Sequence, residues 1–379
     1  MITIANGIIL KGLDLTPSKE NIVIDDGKII NISKDALEGE IINVNNSIIC
    51  PSFLNAHTHI GDSIIKDEGY GLSFDEIVKP PYGLKHIALE NASKEHIINS
   101  MKVSMWNMLN SGTTHFIDYR EGGIEGIKLL KEAAENIPIS PIILGRDDIF
   151  FEEEPDLNKA KRTIRNILKI ADGIAPSGFG EITEEIAILI SEECEKQNKI
   201  SSIHVAESKD SQDKAIEKYG KSEIQIGLDY KFNQLVHCTN PLEEDISSIN
   251  NNVNITVCPR ANALLGVGIP HLNEMVSKNL SINIGTDNLM LNSPNMMREL
   301  EFTFKLMQTY SNPVNPKDIL KIATIPQNLN INKQCIEENN FAQFFITKNF
   351  SKNPYLSIIN RTETKDIINI INRDKIINI

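Results

Sequence analysis

Residues 50–62 read CPSFLNAHTHIGD and place two histidines, His57 and His59, at the end of a short apolar run. Three later apolar runs end in the same way, with His204 in ISSIHVAES, His237 in QLVHCTN and Asp287 in INIGTDN. Imidazole nitrogen and carboxylate oxygen are the usual ligands of a zinc-like ion. A hydrolytic metal site needs such ligands, an open position for water and nearby groups that move protons. The pattern therefore predicts a metal-dependent hydrolytic site.

The apolar runs predict a parallel barrel. They lie at 48–53, 113–118, 139–144, 173–175, 200–204, 234–237, 254–257 and 280–284. Longer stretches with helical periodicity, such as 94–111 and 181–197, separate most of them. Strand–helix alternation indicates an α/β fold with a parallel sheet, and eight units indicate a closed (β/α)8 TIM barrel. Active sites of such barrels lie at the carboxyl ends of the strands, where alternation along a strand points His57 and His59 the same way.

Both ends of the chain predict a second, smaller domain. Residues 22–32 (IVIDDGKIINI) indicate a hairpin with an Asp-Gly turn, and IINIINRDKIINI, from Ile367 onward, repeats the pattern. Unpaired hairpins would leave open sheet edges, so we expect the two ends to pair in one small β-sandwich. The predicted domains are residues 1–49 and 337–379 for the two parts of the small β domain and 50–336 for the barrel.

The composition disfavours several classes of partner. A formal net charge of −13 opposes long-range attraction to nucleic acid or to an anionic membrane. The five cysteines show no CxxC spacing, which is typical of reduced thiols in the cytoplasm. The stretch MITIANGIILKGLDL lacks the layout of a signal peptide, and no apolar run is long enough to span a bilayer. We therefore expect a cytoplasmic protein with no nucleic-acid or membrane partner, and a homo-oligomer because symmetric oligomers are common.

Three further motifs carry a resemblance to a known family. They are HVAE at 204–207, VCPRANALLGVGIP at 257–270 and GTDNLMLNSPNMMRELE at 285–301. Together with HTH on the first predicted strand and histidines on the fifth and sixth, they resemble the amidohydrolase superfamily. More narrowly, they resemble the branch that holds cytosine and guanine deaminases, S-adenosylhomocysteine and adenosine-type deaminases, and triazine hydrolases. The resemblance covers nearly the whole chain, including the split β domain.

The resemblance implies a metal site and the residues that serve it. The implied ligands of one divalent ion are His57, His59, His204 and Asp287. Zinc is favoured, with iron or manganese as alternatives, because several metals accept nitrogen and oxygen ligands. His237 and Asp287 would act on the attacking water, and Glu207 would be the proton shuttle. Superfamily members with two ions commonly carry a bridging lysine on strand four, and residues 171–178 contain no lysine. A single ion is therefore expected.

The implied activity is hydrolytic deamination. Activated water would attack an electron-poor ring carbon that bears an amino group. Glu207 would protonate the adjacent ring nitrogen and then the departing amine, so that ammonia leaves. The expected substrate is a small aminated heterocycle or a nucleoside-like molecule. Two alternatives stay open, namely hydrolysis of an amide, imide or halide at the same site and a non-catalytic scaffold.

Four residues are predicted to contact the substrate. Arg120, Arg146 and Arg260 follow the second, third and seventh predicted strands, and arginine forks suit a carboxylate or phosphate on an anionic substrate. The alternative is that Arg120 and Arg146 pair with neighbouring carboxylates. Asn262 is the fourth, although Ala261 stands where the branch more often carries serine.

Two connections are too long to be plain turns. They span residues 66–86, which include Pro80-Pro81, and residues 146–158. Both follow strands on the side of the predicted site, so we expect them to cover the substrate.

Overall fold

A computed structural model of the chain describes residues 1–78, 82–331 and 334–378, so the predicted loop feature Pro80-Pro81 lies outside the described residues. The strands are β1 (Ile2–Ala5), β2 (Ile8–Lys11), β3 (Thr16–Ser18), β4 (Asn21–Asp25), β5 (Lys28–Ser33), β6 (Glu40–Asn43), β7 (Ser47–Pro51), β8 (Phe53–His59), β9 (Thr113–Arg120), β10 (Ser140–Gly145), β11 (Gly173–Ile174), β12 (Ile200–Val205), β13 (Gln234–His237), β14 (Asn254–Val257), β15 (Ser281–Ile284), β16 (Asp287–Asn288), β17 (Gln343–Lys348), β18 (Ile367–Asn372) and β19 (Lys375–Asn378).

The α-helices are α1 (Phe74–Val78), α2 (Leu84–Asn91), α3 (Lys94–Asn110), α4 (Gly123–Ala134), α5 (Leu157–Leu168), α6 (Glu184–Lys196), α7 (Lys209–Tyr219), α8 (Glu223–Asp229), α9 (Asp245–Ser248), α10 (Pro259–Leu265), α11 (Leu272–Ser277), α12 (Met296–Met307), α13 (Pro316–Thr324) and α14 (Pro354–Arg361). Short 3-10 helices cover Ile60–Ile65, Asp148–Phe151 and Thr364–Asp366. Among the helices described, none has the length and apolar character required to cross a bilayer.

The strands from β8 to β16 form one curled parallel sheet. Their order is β15-β14-β13-β12-β11-β10-β9-β8-β16, and every neighbouring pair is parallel. β15 and β16 are consecutive pieces of the last strand, so the pairing of β16 with β8 joins the last strand to the first. With helices following the strands, the sheet forms a TIM-like barrel, which confirms the fold predicted from the eight apolar runs.

Closure of the barrel depends on a close approach between its last and first strands. Gly285 lies between β15 and β16, and a Cβ atom on it would lie 2.5 Å from the backbone nitrogen of His57. Only a residue without a side chain fits this contact, because real Cβ atoms do not approach other heavy atoms so closely. The glycine of the GTD motif therefore brings Asp287 beside the HTH strand.

The first barrel strand lies further along the chain than predicted. The apolar run at 48–53 predicts it, but the barrel strand is β8, whereas β7 belongs to another sheet. The chain changes partners within two residues: the Ser52 N–H donates to the Gln343 carbonyl, and the Phe53 N–H donates to the Gly112 carbonyl. Both segments are buried along their full length, so hydrophobicity alone does not separate them. His57 and His59 lie on this strand, as the alternation predicted, at the carboxyl end of β8.

Two further sheets lie outside the barrel: one is built from the first part of the chain alone, and the other combines its first and last parts. Their orders are β5-β4-β1-β6 and β19-β18-β17-β7-β2-β3. The predicted hairpins are present as β4–β5, with Asp26 and Gly27 at the turn, and as β18–β19. β17 pairs antiparallel with β7, with Phe345 opposite Cys50. A buried apolar cluster contains residues of both sheets, among them Ile22 and Phe344.

Candidate metal centre and cavity

The five polar side chains marked in the sequence meet at the carboxyl end of the barrel. His57 and His59 lie on β8, His204 lies on β12, His237 ends β13 and Asp287 begins β16. His204 is partly buried and the other four are buried. The structure therefore brings together residues that are up to 230 positions apart in sequence.

The potential ligand atoms lie within reach of one ion. Nε2 of His57 lies 3.0 Å from Oδ1 of Asp287, and Nε2 of His59 lies 3.7 Å from the same oxygen. One ligand atom from each of His57, His59 and His204 lies within 4.8 Å of the others, and the same holds for His57, His237 and Asp287. Ligands of a tetrahedral zinc ion are about 3.4 Å apart, given bonds of about 2.1 Å. These spacings fit a shared ion.

Several of the buried nitrogens have no hydrogen-bond partner within the described part of the chain. They are both ring nitrogens of His57 and Nδ1 of His59. The contact between His57 and Asp287 is short but lacks hydrogen-bond geometry. A buried polar atom without a partner typically costs about 1–3 kcal/mol. Imidazoles with one carboxylate are a donor set that suits a zinc-like ion, so the residues present fit a metal.

His204 is held in one tautomer by the segment that follows β11. Its Nδ1 lies 3.1 Å from the backbone oxygen of Ser177, and a carbonyl oxygen only accepts, so Nδ1 carries the proton. Nε2 is then left as the lone-pair donor. A backbone carbonyl on the far nitrogen is the usual way to orient a metal-binding histidine.

Burial favours the neutral form of three of these imidazoles, those of His59, His204 and His237. Burial lowers the pKa of His59 to about 3 and that of His237 to about 4, and it places the pKa of His204 well below its usual range. Neutral imidazole is the form that binds a metal. Burial would raise the pKa of Asp287, but the neighbouring imidazoles hold it well below its usual range. Asp287 is therefore held as a carboxylate beside the histidine cluster.

Backbone geometry at the strand ends turns these side chains toward the centre. His237 has a φ of 75° and Asp287 a φ of 61°, both in the left-handed region that residues other than glycine rarely adopt. In β8 the pairing register shifts between Asn55 and Thr58, next to His57. Bulges and left-handed residues at strand ends commonly re-aim functional side chains. Neither feature has a sequence signature here.

Glu207 lies beside the histidine cluster. Its Oε2 is 3.4 Å from Nε2 of His237. Burial raises the pKa of Glu207 well above its usual range, and the negative charges of Asp287 and Glu223 add to the shift. The backbone oxygen of Glu207 accepts a 2.8 Å hydrogen bond from Nδ2 of Asn240. A carboxyl group that tends to stay protonated, next to the centre, is suited to donate a proton.

Two further residues contact the histidines directly. Nδ2 of Asn262 lies 3.2 Å from Nδ1 of His237. The ring of Tyr119 lies edge-on to that of His57, with centroids 4.1 Å apart, and its hydroxyl lies 2.5 Å from that of Ser202. Tyr119 is fully buried and packs against the ring of His57. Sequence reasoning missed it, because an aromatic residue on a barrel strand is usually core.

A buried charge cluster lies against His59. Nζ of Lys85 is 3.1 Å from Oδ2 of Asp62 and 3.1 Å from Oε1 of Glu121. Nη2 of Arg146 is 2.6 Å from the same Glu121 oxygen, and Nδ1 of His59 is 3.5 Å from it. Burial would raise the pKa of Glu121, but Lys85 and Arg146 hold it well below its usual range.

Sequence reasoning also missed this cluster. Asp62 stands in the same quoted stretch as the two histidines, and Glu121 directly follows Arg120. The closeness in sequence of Asp62 to the histidines and of Glu121 to Arg120 was the available signal for the cluster. Lys85 carried none, because it lies within a long connection and pairs with residues far from it in the chain.

A cavity of about 370 Å³ opens onto the centre, and this volume suits a small-molecule ligand. Its lining includes His59, Lys85, Arg146, Glu207 and Asp287. Residues of α7 border another side, among them Lys214 and Tyr219. Of the two long connections, 66–86 contributes Val78 and Lys85 to the lining. The other long connection, 146–158, contributes Arg146 to the lining.

The four predicted substrate contacts lie in different surroundings. Among the described residues that line the cavity, Arg146 is present, but Arg120, Arg260 and Asn262 are not. Arg120 is buried and paired with Glu121 at 2.8 Å, as the alternative interpretation had it. Arg260 lies 3.5 Å from Glu299. Arg120 and Arg260 therefore each have a carboxylate partner within the protein, and Asn262 faces His237.

Comparison with known proteins agrees with this geometry. A model of the amidohydrolase family matches residues 48–377. The chain belongs to the amidohydrolase family. This confirms the resemblance noted in the sequence and makes the protein a hydrolase of carbon–nitrogen bonds, as predicted.

Relatives and solved structures agree with that assignment. This amidohydrolase is 43% identical to a protein of Methanothermobacter thermautotrophicus named "Putative aminohydrolase", over 100% of this chain and 99% of the relative. It is 28% identical to a 5-methylthioadenosine/S-adenosylhomocysteine deaminase of Clostridium tetani, over 80% and 73% of the two chains. Its fold matches an adenosine deaminase of Xanthomonas campestris with bound zinc, with a TM-score of 0.85, 13% identity and coverage of 99% and 92%. The family match and the deaminase name of the Clostridium relative support hydrolytic deamination at the level of the family, and the Xanthomonas structure shows a shared fold.

Proposed function

We propose that this amidohydrolase is an aminohydrolase that releases ammonia from a small aminated heterocycle or nucleoside-like molecule. The observation that carries the proposal is the convergence of three histidines and one aspartate, with the carboxyl of Glu207 beside them, at the base of a cavity of about 370 Å³. The aminohydrolase and deaminase names of the relatives support ring deamination over the other reactions of the family.

The proposed ligands of a single divalent ion are His57, His59, His204 and Asp287, with zinc favoured. When bound by such a set, zinc can lower the pKa of a water molecule to about 7 and so supply a nucleophile at neutral pH. A single ion is supported by the segment after α5, because the nearest lysine, Lys169, caps that helix and its Nζ contacts Asn166. The zinc in the Xanthomonas structure supports the choice of metal.

The remaining groups of the site handle protons. Asp287 and Nε2 of His237 accept the proton of the attacking water. Glu207 donates a proton to the ring nitrogen next to the reacting carbon, takes up the hydroxyl proton of the resulting adduct and donates it to the amine. The water proton held by Asp287 or His237 then restores Glu207 for the next cycle. A C–O bond forms, the C–N bond breaks, and ammonia leaves with the proton that Glu207 supplied. A positioned acid–base group of this kind typically contributes about 10²–10⁴-fold in rate.

An anionic substituent on the substrate is part of the proposal. Arg146 lines the cavity and is buried, although one of its nitrogens already contacts Glu121. Its other guanidinium nitrogen groups leave donors for a carboxylate or phosphate.

We also propose that residues 1–49 and 337–379 form one small β-sandwich beside a barrel of residues 50–336. The pairing of β7 with β17 and the apolar cluster shared by the two sheets support this division. The cytoplasmic location and the homo-oligomer stay predictions.

The test is a screen for ammonia release. Zinc-replete protein is assayed against aminated purines, pyrimidines, pterins and nucleosides, with adenosine-type nucleosides first. At least one should yield stoichiometric ammonia and the corresponding oxo product. Glu207→Gln should abolish release and keep its zinc, whereas Glu195→Gln, an exposed glutamate on α6, should behave as wild type. Normal turnover by Glu207→Gln, or no ammonia from any compound, would reject the proposed reaction.

A further inference from the structure

A second group of ligand-type side chains adjoins the proposed metal site. Ligand atoms of His59, Asp62 and Glu121 all lie within 4.8 Å of one another. The ammonium of Lys85 sits among them. We propose that Lys85 is an internal cation that fills a second cation position, so that the protein binds one divalent ion where its side chains could hold two. The inference rests on the proposed function, because it presumes the first ion.

The geometry around Lys85 resembles that of a bound cation. Nζ lies 3.1 Å from one carboxylate oxygen of Asp62 and 3.1 Å from one of Glu121. Lys85 is 3% exposed and Asp62 is fully buried. A buried carboxylate and a partly buried one this close to each other need a positive charge between them, because an uncompensated buried charge typically costs several kcal/mol. Lys85 supplies that charge from a helix, α2, that lies outside the barrel strands.

Some of the potential ligand atoms around Lys85 make no hydrogen bond within the described part of the chain. Oδ1 of Asp62 and Nδ1 of His59 have no hydrogen-bond partner within the described part of the chain, and both are buried. The other oxygen of Asp62 also accepts a 2.8 Å hydrogen bond from Nδ2 of Asn288. These unpartnered atoms belong to the same three residues whose ligand atoms converge. They would be available to an ion if the ammonium were absent.

The two carboxylates differ in their other cations. Glu121 is also contacted by Arg146, at 2.6 Å, and by Arg120, at 2.8 Å. Among the ion pairs of the described residues, Asp62 has Lys85 as its cation. Loss of Lys85 therefore leaves Asp62 as a buried carboxylate that must either take up a proton or bind another cation. Oxygen-rich sites of this kind suit Mn²⁺, whereas the nitrogen-rich first site suits zinc.

The experiment counts ions bound to folded, zinc-loaded protein after Mn²⁺ is added. Elemental analysis gives the total, and the electron paramagnetic resonance of unbound Mn²⁺ gives the binding curve. Wild type should hold one zinc and no tightly bound Mn²⁺. Lys85→Ala should hold one zinc and one Mn²⁺, and Lys85→Ala combined with Asp62→Asn should return to one zinc. Lys128→Ala, which removes an exposed lysine, should match wild type.

Two results would overturn the inference. One is a wild-type protein that binds two ions per chain. The other is a folded Lys85→Ala protein that still binds a single ion per chain, in which case the lysine is only an ion-pair partner. If Lys85→Ala does not fold, Lys85→Met, which keeps the apolar stem, is measured in its place. A wild-type protein that binds no zinc at all rejects the proposed metal site instead, so the two failures are distinguishable.

Discussion

Glu223 accepts a 2.7 Å hydrogen bond from the backbone amide of Ala206, the residue directly before Glu207. Ala206 has a left-handed backbone with a φ of 49°, which is unfavourable for alanine and needs support from its surroundings. The hydroxyl of Ser211 donates to the same Glu223 oxygen at 3.1 Å. Glu223, at the start of α8, therefore fixes the turn that presents Glu207 to the cavity.

Glu223→Ala should lower kcat for ammonia release on the order of 10- to 100-fold, because small displacements of a reacting group have effects of this size. Its zinc content should be unchanged, since Glu223 is not a proposed ligand. Glu223→Gln should retain much of the activity, because the amide oxygen still accepts from Ala206. Unchanged kcat in Glu223→Ala, or loss of zinc together with activity, would contradict this positioning role.

Gly285→Ala should destabilise the protein and reduce its zinc content. The new Cβ would lie 2.5 Å from the backbone nitrogen and 2.7 Å from Cβ of His57, so the first and last strands must separate. Overpacking of this type typically costs about 1–3 kcal/mol. The measurements are urea unfolding and bound zinc. Gly180→Ala is the matched control, because its Cβ meets nothing within 4 Å. Equal stability and zinc content in both variants would refute the close contact.

Removal of zinc should lower the Tm. Binding to the folded state alone adds about 4 kcal/mol at a ligand concentration of 1,000 Kd, and this stabilisation disappears with a chelator. Asp287→Asn, which removes the proposed carboxylate ligand, should bind zinc weakly and respond little to the chelator. Magnesium should not restore the lost Tm, because it prefers oxygen ligands. A wild-type Tm that is the same with and without verified zinc would be inconsistent with a buried metal site.

His115 should make the protein sensitive to acid. Burial lowers its pKa to about 3, whereas the unfolded chain takes up that proton near pH 6.5. The stability associated with neutral His115 is therefore complete above pH 6.5 and declines as the pH falls toward 3. Nε2 of His115 contacts Nε2 of Gln343 at 3.3 Å, so the effect acts where the barrel meets the second sheet.

The comparison is between wild type and His115→Gln, both saturated with zinc so that the metal-binding histidines affect the two equally. Between pH 6.5 and pH 4 the unfolding free energy of wild type should fall relative to the variant by about 3 kcal/mol. Urea unfolding at four pH values measures the difference. Parallel curves for the two proteins would show that His115 does not take part.

The barrel and the cluster of histidines and Asp287 were predictable because both follow simple periodicities. Apolar runs recur at strand spacing, and the residues that end them meet at one edge when the strands are parallel. The first strand was misplaced because Ser47–Pro51 and Phe53–His59 are both buried, and their different partners, β17 and β9, are set by contacts remote in sequence.

Lys85, Tyr119 and Glu223 were beyond prediction for a related reason. Each matters through a partner on another element: Asp62, Ser202 and Ala206. A single sequence records residue types but not such pairings. The arginines show the opposite difficulty. Their residue type predicts binding of an anion, but Arg120 and Arg260 are paired with carboxylates of the protein itself.

The pairing of β7 with β17 has a consequence for how the chain is made. The two strands are separated by nearly 300 residues, so β7 leaves the ribosome well before its partner exists. At roughly 5–20 residues per second, the wait is about 15–60 s. During that time an Ile-rich nascent segment has an open edge, and the barrel must begin to form beside it. Synthesis of this protein therefore includes an interval in which the unpaired β7 segment is available to chaperones.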